Sequence, residues 1–275
     1  MLKIALNQNT CKELDLIEFI KFSKDFHGIE INYEKIKKAL SNKINIQEII
    51  ELLDVYDLLT VSIFNLEDFS LCSDKYYKLN IIPSLHLMID HLYKLESNLL
   101  VVSASLFKES QDPKTIPKWR IINKTRKRLL HISKIASKND INIGFEFLNS
   151  PKSSISTFSD AKEVMDDLEA IDNLGYVIDV FHFFKSNENF KRINDIREKI
   201  FLIQLSDVKF TDKEELDSIE DKDRTIPGEG DFELKEFINF TSKIGYRSMY
   251  SIELSEKCCM ENIYDAIMKN LKNLI

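Results

Sequence analysis

Apolar runs alternate with amphipathic stretches along nearly the whole chain. The runs fall at 2–8, 28–33, 58–65, 99–106, 141–148, 174–182, 200–206 and 249–255 and read as strands. Between them, apolar residues recur at three- and four-residue spacing. This predicts helices over 11–26, 35–53, 74–97, 117–139, 158–171, 188–198, 232–243 and 259–274. Runs such as INIGFEF and IFLIQLSD are almost continuously apolar, as expected of parallel strands buried on both faces. Eight strand–helix units in 275 residues predict an α/β fold, a single closed (β/α)8 barrel over 1–275, for which ~250 residues suffice.

Local signals support these boundaries. Thr157, with Asp160 three residues on, resembles a capping box ahead of Phe158, Ala161, Val164, Met165 and Leu168. Asp231 is placed to cap the helix carrying Leu234, Phe237 and Ile238, and Gly245 to end it. No Pro-, Ser- or Gly-rich linker marks a domain boundary. The longest stretches without a predicted element, 107–116 and 208–231, both follow strands. The second runs through TDKEELDSIEDKD into RTIPGEGD and reads as a mobile flap with a fixed end.

The formal charge of −7 argues against a nucleic-acid surface, which needs a basic face. The N-terminal segment lacks the long apolar core of a signal peptide, and no uncharged apolar run is long enough to span a membrane. Cys11, Cys72, Cys258 and Cys259 form no CxxC pair, and adjacent Cys258 and Cys259 are poorly placed to bridge each other. The expectation is four reduced thiols in a cytoplasmic protein.

Chemistry enters at the strand ends. The predicted fifth to eighth strands close on Glu146, Asp179, Gln204 and Glu253. Burying a carboxylate is costly unless it is paired or bound to a metal, and the carboxyl ends of barrel strands form the floor of the active site. Each acid alone could be a buried ion pair; the four together favour a divalent cation. An oxygen-only set suits Mn²⁺ or Mg²⁺ better than Zn²⁺. Such an ion can hold a carbonyl and a neighbouring hydroxyl and stabilise the enediolate formed by proton abstraction beside the carbonyl. Glu146 and Glu253, from different strands, could act as base and acid on opposite faces of a substrate.

His182 reads either as a hydrogen-bond donor to substrate oxygen or as a structural contact, and Asp207 either as a group orienting the ligands or as a cap. Arg224, before the stiff TIPGEGD turn, suits an anionic or hydroxylated substrate group, with a surface salt bridge as the competing reading. Trp119 reads as packing or as an apolar wall of the site. His27, His86, His91 and His131 fall in or beside predicted helices and read as structural or surface residues.

The segments LNQNT, GFEF, VIDVFH, RTIPGEGD and IGYRSMYSIEL, in this order, resemble the xylose-isomerase-like barrel superfamily, the sugar phosphate isomerase/epimerase group. The resemblance implies a (β/α)8 barrel and one catalytic divalent cation on Glu146, Asp179, Gln204 and Glu253. It also implies acid–base roles for Glu146 and Glu253 and substrate contacts from His182 and Arg224. It departs from many sugar epimerases of the group, which carry histidine at the position of Gln204. Glutamine there is closer to the hydroxypyruvate isomerase and dehydroshikimate dehydratase branches, but Leu148 stands where the dehydratases tend to carry histidine. The histidine-rich zinc cluster of the AP-endonuclease relatives has no counterpart.

The expected activity is a metal-dependent isomerase or epimerase of a small sugar or polyol-derived ketone. The alternatives are a metal-dependent lyase that dehydrates a keto-polyol or 3-dehydroshikimate, and a degenerate barrel that only binds a ligand. The expected partner is a small molecule, not nucleic acid or membrane, and a homodimer follows by analogy with the family.

Overall fold

The computed structural model describes residues 2–109, 115–210, 216 and 218–274. Eight parallel strands close into one barrel in chain order: β1 Ile4–Asn7, β2 Gly28–Asn32, β3 Leu59–Leu66, β4 Leu99–Ser103, β5 Asn142–Glu146, β6 Leu174–Asp179, β7 Ile200–Leu205 and β8 Tyr250–Ile252. The ring closes where β1 pairs with β8, through Ile4 with Tyr250, Ala5 with Ser251 and Leu6 with Ile252. Seven strands lie inside the runs expected for them, and β3 passes the end of its run by one residue, Leu66.

Side chains alternate across the barrel wall. In β4, Leu100 and Val102 belong to the main core, while Leu99 and Val101 join a separate cluster with Phe64, Val177 and Leu202. That alternation separates an outer layer, packed under the helices, from a small apolar plug facing the barrel axis. Beyond the plug the inward positions turn polar. Register sets them side by side around the ring: Asn7 beside Glu30 and Glu30 beside Ser62, then Ser103 beside Glu146, and Asp179 beside Gln204 beside Ser251.

The surrounding elements depart from expectation in several places. The stretch expected as one helix over 35–53 is two, Tyr33–Ser41 and Ile46–Val55. Lys43 takes a left-handed φ of 69°, and Asn45 starts the second helix with a capping box closed by Glu48. Strand β6 stops at Asp179, whose carboxylate accepts from the Phe181 amide and caps a short helix, Val180–Lys185. Asp231 does not cap Leu234–Lys243, whose N-cap is Glu233; its carboxylate accepts from the Phe210 amide instead.

Other signals hold. Thr157 caps Phe158–Met165 by accepting from the Asp160 amide, although the Asp160 carboxylate pairs with Lys118 instead of closing the expected capping box, and Gly245 follows Leu234–Lys243 at φ 100°. Trp119 is 65% exposed and packs against no core cluster. The expected loops 107–116 and 208–231 fall partly outside the described residues. No helix among the described residues is long and apolar enough to cross a membrane.

The cysteine expectation is corrected. Cys11 and Cys259 form a disulfide, their Cα atoms 5.3 Å apart, within the usual span; Cys72 and Cys258 are free. Cys11 follows β1 and Cys259 follows β8. Closure of the barrel brings them together across 248 residues of sequence, a proximity that linear spacing hides.

Candidate active site

A cavity of about 310 Å³ opens at the carboxyl ends of the strands. Glu146, Gln204, Glu253, His182 and Arg224 all line it, brought from β5, β7, the end of β8, the helix after β6 and the turn after β7. Asp179 lies directly behind, its side chain sealed from solvent under the guanidinium of Arg224. Neither Asp207 nor Trp119 lines the cavity.

Each carboxylate is held by particular neighbours. Glu146 accepts from the Ser103 hydroxyl at 2.7 Å, and that hydroxyl in turn accepts from Asn65 at 2.5 Å. Glu253 accepts from the Asn9 amide at 2.9 Å and, at 3.5 Å, from Asn7. Arg224 donates to both oxygens of Asp179, at 3.1 and 2.6 Å, and to Asp221 at 3.0 Å. Its guanidinium also stacks 4.2 Å above the Phe181 ring. The two-pronged fit of a planar guanidinium to a carboxylate fixes both groups. Arg224 therefore balances Asp179 from within the wall rather than projecting freely into the cavity.

Asp207 anchors the turn that carries Arg224. It accepts from the backbone amides of Val208 at 2.9 Å, Gly228 at 2.9 Å and Phe232 at 3.0 Å. Asp207 and Thr225 also pair backbone to backbone. A Cβ at Gly230 would lie 2.3 Å from the Asp207 carboxylate, so only glycine lets the turn come this close.

Buried carboxyl groups outnumber buried cations here. Glu146, Asp179 and Glu253 face a single guanidinium. Burial, reinforced by Glu253 and Asp179, pushes Glu146 well above the usual carboxylate range. Burial is also the main cause for Glu253, pushed up to about 7 with Arg224 opposing. Burial lowers His182 to about 4, leaving a neutral imidazole whose Nε2 lies 3.7 Å from Asp179.

This surplus fits a divalent cation. Ligand-capable atoms of Glu146, Asp179 and His182 lie within 4.8 Å of one another. Two buried atoms of the cavity residues, Gln204 Oε1 and His182 Nδ1, have no hydrogen-bond partner. A carbonyl oxygen and an imidazole nitrogen are both donors that a cation accepts. His182 brings nitrogen close to an otherwise oxygen-only set.

Residues 22–274 match the family described as xylose isomerase-like TIM barrel. The chain belongs to that family. An inosose isomerase of Bacillus subtilis (strain 168) is 30% identical over 127 residues, 46% of this chain and 44% of the relative. An inosose isomerase of Halalkalibacterium halodurans is 31% identical over 132 residues, with the same shares covered. The chain thus spans less than half the length of the curated relatives it matches. Among solved structures, an IOLI protein with a bound zinc atom superposes with a TM-score of 0.87 at 23% identity, over 99% of this chain and 98% of that one. At that identity the likeness speaks for the fold.

Sequence reasoning missed Glu30, Asn7, Asn9 and Ser103, which hold the site together from β1, the turn after it, β2 and β4. Glu30 had a legible signal: GIEIN sets one acid between isoleucines of a buried strand, where a charge needs a partner. The asparagines and the serine had none, because small polar residues are ordinary at strand ends.

Proposed function

We propose that the protein is a divalent-cation-dependent isomerase or epimerase of a small polyhydroxy ketone, an inosose being the first candidate. One observation carries the reading: two carboxyls with raised pKa, Glu146 and Glu253, face one cavity from separate strands. A cavity of about 310 Å³ suits a single sugar or cyclitol ring. The inosose isomerase relatives support this substrate class.

Glu146, Asp179, Gln204 and Glu253 would hold the cation, with His182 within reach. When bound, it supplies Lewis-acid polarisation of the substrate carbonyl. The oxygen-rich set favours Mn²⁺ or Mg²⁺, while the neighbouring imidazole makes Zn²⁺ compatible.

The protein's own groups move the protons. One glutamate, ionised, takes the proton from the carbon beside the carbonyl, and the C–H electron pair forms the enediolate. The other, protonated, returns a proton to the adjacent carbon, or to the same carbon on the opposite face for epimerisation. In the metal-free protein Glu253 is pushed up to about 7, which marks it as a carboxyl that exchanges its proton near neutral pH, where a proton-transfer group is most efficient. Asn9 and Ser103 aim the two carboxylates, and Arg224 fixes Asp179 through both of its oxygens.

The test is solvent exchange. Protein saturated with Mn²⁺ is incubated with an inosose in D2O and followed by proton NMR. Deuterium should enter at the carbon beside the carbonyl and fail to enter after EDTA. Loss of water, seen as enone absorbance, would replace the isomerase reading with the lyase. Absence of any exchange across a panel of ketoses and inososes would leave a binding barrel.

A further inference from the structure

Glu30 lies on β2 and is fully buried, away from the cavity surface. Three donors from three other strands converge on its carboxylate: the Ser62 hydroxyl at 2.6 Å, the Asn7 amide at 3.0 Å and the Gln204 amide Nε2 at 3.1 Å. We infer that Glu30 is a positioning residue that decides which end of the Gln204 side chain is presented to the cation. The inference rests on the cation reading above.

A carboxylate only accepts hydrogen bonds, so the Gln204 group facing Glu30 must be the NH2. The amide is planar, and its oxygen therefore lies on the other side. That oxygen is buried and accepts nothing from the described residues. A buried carbonyl without a partner costs on the order of 1–3 kcal/mol. The cost disappears when the oxygen meets a cation.

Competition makes Glu30 necessary. The strand beside Gln204 ends in Asp179, and Glu146 and Glu253 line the same cavity. Without a carboxylate behind it, the Gln204 NH2 would turn towards these acceptors. The amide would then offer hydrogens where the cation needs an oxygen, and would neutralise the ligands it should complete. Glu30 draws the NH2 away. A histidine at this position would ligate through a ring nitrogen and have no amide end to turn the wrong way; glutamine needs the anchor.

The test is a swap. Glu30→Gln lets residue 204 sit either way round, and Mn²⁺ affinity measured by calorimetry should fall roughly tenfold to a hundredfold, the usual effect of losing a group that orients a ligand. Combining Glu30→Gln with Gln204→Glu restores an amide–carboxylate pair with the carboxylate on the cavity side. This double variant should recover Mn²⁺ affinity to at least the wild-type level. A purely structural role for Glu30 would lower melting temperature in both variants and leave Mn²⁺ affinity of the folded protein unchanged, and would overturn the inference. If Glu30→Gln alone does not fold, the double variant decides: folding with Mn²⁺ bound supports the inference, and folding without binding overturns it. Wild-type protein that binds no divalent ion would remove the cation reading itself. Tight wild-type binding with an unaffected Glu30→Gln removes only the role of Glu30.

Discussion

Arg224 and Asp179 are joined by two hydrogen bonds, at 3.1 and 2.6 Å, with both side chains shielded from solvent. Such a pair is weak evidence for stability while intact, because desolvation offsets the attraction, but removing one partner strands the other. Arg224→Met should destabilise the metal-free protein by about 3–5 kcal/mol. Saturating Mn²⁺ should recover part of the loss by taking over the charge of Asp179. Urea unfolding with and without the ion checks both parts.

Cation binding should depend steeply on pH. Glu253 holds its proton below about 7, and Glu146 is raised as well. The ion must displace those protons, so apparent Mn²⁺ affinity should rise as pH climbs from 5.5 to 8. Calorimetry across that range tests it; a flat profile would mean that these carboxyls do not bind the ion.

The metal-free protein should show the opposite trend in stability. Glu253 is raised from 4.5 to about 7, so its contribution is complete below pH 4.5 and is lost as pH rises through 7. His182 is lowered from 6.5 to about 4, so its contribution is present above 6.5 and is lost as pH falls through 4. The two oppose each other between pH 4.5 and 6.5. Above 6.5 only the carboxyl effect remains, and the metal-free melting temperature should drop towards pH 8 while the Mn²⁺-saturated value does not. Paired thermal melts measure the gap.

Glu253→Gln keeps the shape and removes a buried ionisable group. Turnover should fall by roughly 10²–10⁴, the usual worth of a general acid or base. The melting temperature of the metal-free protein at pH 8 should stay level or rise. Steady-state kinetics on whichever ketose shows deuterium exchange gives the first number, and retained turnover would remove Glu253 from the proton path.

Asp207→Ala leaves three backbone amides of the Arg224 turn without their acceptor. Hydrogen bonds to a charged group are worth roughly 1.5–3 kcal/mol each, and a loss of at least about 2 kcal/mol is expected. Because the turn carries Arg224, Mn²⁺ affinity should fall as well. Denaturant titration and calorimetry on the same variant separate the two effects.

The barrel was readable because its signal is periodic and repeated: each strand is an apolar run, and each run is followed by a helix pattern. Glu146, Gln204 and Glu253 stood out for a related reason, as polar groups closing runs that burial would otherwise keep apolar; Asp179 did too, but its partner could not be read. Arg224 stands 45 residues away in sequence, and only the fold shows that its fork is taken up by Asp179 rather than left open to substrate. Glu30 was overlooked because its strand sits outside the group that drew attention, and its value depends on facing Gln204 across the barrel, 174 residues away. The break at Lys43 was hidden because apolar spacing continues across it, while the capping chemistry of Asn45 and Glu48 is purely local.

The Cys11–Cys259 link has a topological consequence. Once it is made, all but the first ten residues and the last sixteen belong to a covalent ring. One proteolytic cut anywhere inside that ring opens it without releasing a fragment. A nicked molecule would keep its full mass under denaturing, non-reducing conditions and fall into two pieces only when a thiol is added.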